Sequence, residues 1–96
     1  MRKYEIMFIV KSDTTEEERK EIVSNLENAF TKNKATITLS KELGQRELAY
    51  EIKKFKTGYY FFYKIETNTS DAINEFNRVS RISENVIRHL IIKVED

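Results

Sequence analysis

Apolar and polar positions alternate from residue 3 to 10, with Tyr4, Ile6, Phe8 and Val10 on one side and Glu5, Met7 and Ile9 on the other. A period of two predicts a strand, here apolar on both faces. Ser12, Asp13, Thr14 and Thr15 then offer N-cap oxygens, and Thr15 with Glu18 fits the capping-box spacing. Ile22, Leu26, Ala29 and Phe30 follow at helical spacing, one apolar stripe of a helix running to about Lys32. Alternation returns over 34–40, breaks at Leu43-Gly44, and resumes with Leu48, Tyr50 and Ile52. A turn over Lys54-Phe55-Lys56-Thr57-Gly58 leads into Tyr59–Thr67, the most aromatic strand. Thr69-Ser70-Asp71 caps a second helix with Ala72, Ile73, Phe76 and Val79 inward, and Asn85–Val94 reads as a last strand.

The order is therefore β-α-β-β-α-β, within one domain over residues 1–96. Right-handed crossovers put both helices on the same face of a four-stranded antiparallel sheet. This is the α+β ferredoxin-like split β-α-β arrangement, with expected strand order 4-1-3-2. One face of the sheet is left without helical cover. In the aromatic strand Tyr59, Phe61, Tyr63 and Ile65 share one side, and Tyr60, Phe62, Lys64 and Glu66 the other. The charged ends mark the second set as the open face, which still carries Tyr60 and Phe62. Met7 and Ile9 join it from the first strand. A contiguous apolar patch on an open sheet predicts a partner site, although hairpin ends can also shield such rings.

Composition narrows the chemistry. With 17 Lys+Arg against 16 Asp+Glu the net charge is +1, yet it is unevenly spread. Residues 1–12 and 34–66, mostly strands, carry +2 and +3, while the helical stretches 13–33 and 67–84 carry −3 and −1. Such a polarised molecule attracts phosphate backbones on one side only. There is no cysteine, so disulfides, iron–sulfur clusters and thiolate zinc sites are excluded, as is the paired-cysteine copper site found on this fold. One histidine, His89, leaves little room for a transition-metal site. No metal or cofactor is expected. Apolar runs reach only five residues, far below the ~20 that span a bilayer, and no signal-peptide pattern opens the chain. The expectation is a soluble cytoplasmic protein with no membrane partner and no small-molecule substrate.

No catalytic constellation assembles either. His89 lies inside a strand, and the glycines, Gly44 and Gly58, stand apart rather than in a phosphate-cradling loop. Acylphosphatase-type enzymes share the topology, but the loop after the first strand here reads Lys11-Ser12-Asp13-Thr14, with an acid where an anion would sit. The RNA-recognition-motif signature is met only in part. Gly58, Tyr59, Phe61 and Phe62 match, while Thr57, Tyr60 and Lys64 do not. An enzyme is not expected.

Leu43-Gly44-Gln45-Arg46-Glu47-Leu48-Ala49-Tyr50 is the most specific stretch. The pattern Leu-Gly-x-Arg-x-Leu-Ala-Tyr in the second strand resembles the bacterial small-subunit ribosomal protein S6 family. Met1-Arg2-Lys3-Tyr4-Glu5, Gly58-Tyr59-Tyr60 and Asn85-Val86-Ile87-Arg88 resemble the family's opening, third strand and last strand. Glu51 departs from it, standing where many members carry proline. The resemblance implies a structural, rRNA-binding constituent of the small ribosomal subunit. It also implies pairing with ribosomal protein S18 on the central domain of small-subunit ribosomal RNA. Arg2, Lys3, Arg46, Lys56 and Arg88 are then the candidate RNA contacts, Arg2 and Arg88 together above all. Met7, Ile9, Tyr60 and Phe62 are the candidate partner interface. Plainer readings stand beside these: Arg46 pairing with Glu42, Glu47 or Glu66, Lys56 as a turn lysine, and Tyr50 as strand packing. The alternative function is a small-molecule-binding regulatory domain of the same fold, acting as a homodimer.

Overall fold

Six elements follow in the order β1 (Arg2–Lys11), α1 (Glu16–Thr31), β2 (Thr36–Ile52), β3 (Phe55–Thr67), α2 (Asp71–Ile82) and β4 (Val86–Val94) in the computed structural model. It describes residues 2–94, so Met1 of the opening pattern and the terminal Glu95-Asp96 lie outside the described residues. The sheet is antiparallel with order β2-β3-β1-β4, the expected order met from the other edge.

The capping box forms as anticipated. Thr15 Oγ1 accepts from the Glu18 amide at 3.1 Å, and Glu18 returns the bond to the Thr15 amide at 2.9 Å. The Thr15 backbone amide, and then the Thr15 hydroxyl, also hold the Glu18 carboxyl below its ordinary pKa. Ile22, Leu26, Ala29 and Phe30 are the buried stripe of α1, and α2 buries Ala72, Phe76 and Ser80. Ile73 and Val79 pack half-buried against the same core. Both helices share one cluster with Tyr4, Ile6, Phe8 and Val10 of β1 and Phe61, Tyr63 and Ile65 of β3. The helices therefore cover a single face. Rings fill its centre: Phe8 stacks on Phe61 at 5.0 Å, and Phe30 on Phe76 at 5.3 Å. Tyr63, though buried, donates its hydroxyl to Glu27 Oε2 at 2.8 Å, and burial together with that carboxylate pushes its pKa up.

β2 runs unbroken through the interruption in its pattern, and one local expectation, the turn, changes. The break at Leu43-Gly44 is a bulge in its register with β3, which Gly44 makes possible at φ +82°. The turn is tighter than expected and lies earlier, at Lys53-Lys54, because Ile52 already pairs with Phe55. Both lysines have positive φ, 48° and 72°, the pattern of a two-residue type I′ hairpin without its usual Asn or Gly.

Candidate interaction surface

The parity of β3 decides the two faces. Phe61, Tyr63 and Ile65 are buried under the helices, whereas Tyr60 and Phe62 are half-buried on the uncovered side. Register aligns Phe62 with Met7, Tyr60 with Ile9, and then Met7 with Leu90 and Ile9 with Arg88 on β4. Leu90 and Ile92 are 43% and 51% exposed there, and Leu39, opposite Lys64 on β3, is also exposed. An apolar row of Phe62, Met7 and Leu90 therefore crosses the open face, with Lys41 at its β2 end and Lys64 and Glu5 in the next row.

Beyond Gly58, the last β3 residue that β1 reaches, β2 and β3 continue as a free arm. That arm bends back over the open face. Leu48, Ala49, Tyr50 and Ile52 line one wall of a cleft of about 160 Å³, with Met7, Ile9, Tyr60, Arg88 and Leu90 opposite. The latch is a hydrogen bond of 3.1 Å from Arg88 Nη1 to the Tyr50 hydroxyl, spanning 38 positions of sequence. It keeps the Arg88 guanidinium above even its ordinary pKa. At the arm's base Gly58 lets Ile9 pack over the β3 backbone: a Cβ there would meet Ile9 Cγ2 at 2.5 Å.

This geometry sorts the candidate residues. Met7, Tyr60 and Phe62 are accessible in part, but Ile9 is only 5% exposed, folded over Gly58, and so contributes to the floor rather than to a free surface. Arg88 stands at the rim of the cleft and is exposed. Arg46, opposite Gly58 at the base of the arm, donates from Nε to the Leu43 carbonyl at 3.2 Å. Among the described residues it has no ion pair with Glu42, Glu47 or Glu66. Lys56 is exposed on the arm near the turn. Arg2 does not join Arg88. Ile9, not Arg2, is opposite Arg88, so about 23 Å of strand separates them. Arg2 also has the parity of Tyr4, Ile6 and Phe8, the helix side. Lys3 is on the open-face parity at that far end, opposite Glu66.

Tyr50 is 65% exposed and packs into no core, because the arm has outrun the sheet that would cover it. The residues that sequence reasoning left out are Leu48, Ala49 and Ile52 of the arm and Leu90 and Ile92 of β4. The alternation Arg88-Leu90-Ile92 carried a signal for β4, while nothing in the chain announces that the arm folds back. His89 points the other way, its Nε2 3.1 Å from Asn77 Oδ1 and its ring edge-on to Phe76. Burial, and then Arg81, lower its pKa. Among the described residues no group of three or more His, Cys, Asp or Glu is placed to hold a metal ion. No helix among them is long and apolar enough to cross a membrane.

Comparison with known proteins agrees with this architecture. The family described as Ribosomal protein S6 matches residues 3–93. The crystal structure of 30S ribosomal protein S6 from Thermotoga maritima superposes with a TM-score of 0.92 at 30% identity, over 97% of this chain and 87% of that one. A protein of Arabidopsis thaliana superposes at 0.58 with 13% identity, over 100% of this chain and 95% of that one, a likeness of fold alone.

Proposed function

Because this chain belongs to the ribosomal protein S6 family, a structural and non-enzymatic constituent of the small ribosomal subunit, we propose that it binds the central domain of small-subunit ribosomal RNA together with ribosomal protein S18. In this reading it works in the cytoplasm, within the ribosome. The apolar open face, from Phe62 through Met7 to Leu90 and Ile92, takes the protein partner. Arg88, Arg46 and Lys56 form the cationic side that meets phosphates, while Arg2 and Lys3 make a second contact from the far end of β1. Basic side chains fix position on a phosphate backbone without reading sequence, so selectivity comes from RNA shape and the joint surface with the partner.

The observation that carries the reading is an uncovered sheet face with exposed Leu90 and Ile92 beside Arg88, which has no ion pair among the described residues. As a small-molecule site the open-face cleft is small, about 160 Å³ and open to solvent, below the ~300–1,000 Å³ usual for such ligands. With a net charge of +1, the chain alone has little long-range attraction for RNA. Affinity for a central-domain RNA fragment, measured with and without S18, is expected to rise steeply when S18 is present. Equal dissociation constants in the two conditions would contradict the joint mode of binding.

A further inference from the structure

Arg88 is held by a neutral side-chain oxygen 38 positions away in sequence, whereas Arg46 donates to a nearby backbone carbonyl. Arg78 is paired with Glu75, and Arg19 lies 3.8 Å over the Tyr59 ring while donating to Thr14. Arg88 has one partner among the described residues, the neutral Tyr50 hydroxyl, which accepts a single guanidinium N–H. A guanidinium carries five N–H donors, so four remain for an anion. Its charge is undiminished because no carboxylate among the described residues shares it. A carboxylate in that place would orient Arg88 equally well but cancel the attraction for phosphate. Tyr50 in turn has no core to stabilise. It is largely exposed and sits on an arm that bends over the open face to reach β4.

We infer that Tyr50 is a positioning residue: by accepting a hydrogen bond from Arg88 it orients the guanidinium at the cleft rim in advance, leaving its charge and outward N–H groups for an RNA phosphate. The inference rests on the reading of Arg88 as a phosphate contact given above. A long side chain on an exposed strand otherwise samples many rotamers, and ordering it only on binding subtracts from affinity. Fixing it beforehand through a neutral oxygen removes that cost without a competing anion. The arm thereby joins the two halves of the surface, because the residue that orients Arg88 also walls the apolar cleft.

The test measures dissociation constants of the full chain, with S18 present, for a central-domain fragment of small-subunit RNA over a series of KCl concentrations. It compares wild type, Tyr50→Phe, Arg88→Ala and the double variant. Arg88→Ala is expected to weaken binding about 10-fold and to lower the salt slope by about one ion. Tyr50→Phe keeps the ring and loses only the hydroxyl, and is expected to weaken binding about 3- to 10-fold. Its thermal midpoint should stay at the wild-type value, and it should have no further effect in the Arg88→Ala background. Two results overturn the positioning role while leaving Arg88 a contact: Tyr50→Phe binding like wild type, or weakening binding equally with and without Arg88. Arg88→Ala binding like wild type would instead overturn the reading of Arg88 and the inference with it.

Discussion

Phe61 and Phe62 are neighbours in the chain and lie on opposite faces of β3, so truncating each asks a different question. Phe61 is 3% exposed and stacks on Phe8, and Phe61→Ala should open a core cavity costing about 3–5 kcal/mol by denaturant unfolding. Phe62→Ala should leave stability near wild type and, on the proposed function, weaken partner binding by about 1–3 kcal/mol. A large stability loss for Phe62→Ala with unchanged binding would reverse that assignment. His89 gives a test by pH. Burial holds its pKa below the ordinary 6.5, so the unfolded chain takes up the proton first as pH falls. Its stabilisation is complete above pH about 6.5 and is lost as pH drops through the lower folded value. Unfolding curves at pH 7.5 and 5.5 should show less stability at 5.5, with the difference reduced in His89→Gln; a difference as large in the variant would remove His89 as its cause. Residue types and parity made Tyr60, Phe62 and Met7 readable as open-face positions. Ile9 shares that parity, but its burial over Gly58 shows only in three dimensions.

At the scale of elements, the helices were the most legible parts, since the capping box of Thr15 and Glu18 and the stripe of α1 are local patterns. The β2–β3 arm was the least legible. Its bulge carries one glycine, and its turn is made by Lys53-Lys54, residues that do not signal a type I′ hairpin. Left-handed backbone at two lysines is unfavourable by about 1–2 kcal/mol per residue, offset here by the pairing of Ile52 with Phe55 and by the contacts of the arm with the open face. Replacing the pair by Lys53→Asn and Lys54→Gly should therefore raise unfolding free energy by about 1 kcal/mol or more, read as a higher denaturant midpoint at unchanged slope. No gain, or a loss, would mean that the lysine side chains contribute more than their backbone strain costs. The separation of Arg2 from Arg88 was hidden for a similar reason. Adjacent strands can be anticipated from topology, whereas which residues lie side by side depends on register.

Over the whole molecule, charge and shape divide the same way. The acidic helices cover one face of the sheet, and the basic strands and arm surround the other, a polarity that a net charge of +1 conceals. The Thermotoga maritima protein keeps this architecture at a TM-score of 0.92 although 30% of residues are identical, as expected when patterning rather than particular side chains specifies the fold. The account stands on the open face being the side that receives a protein. Its most direct test is a methyl NMR titration of the isotopically labelled chain with S18. Signals from Met7, Leu90 and Ile92 should shift or broaden, while those of Ile6, Leu26 and Ile65 under the helices and of Val23 and Ile82 on the helical side stay in place. Perturbations confined to Val23 and Ile82, with Met7, Leu90 and Ile92 unmoved, would contradict it.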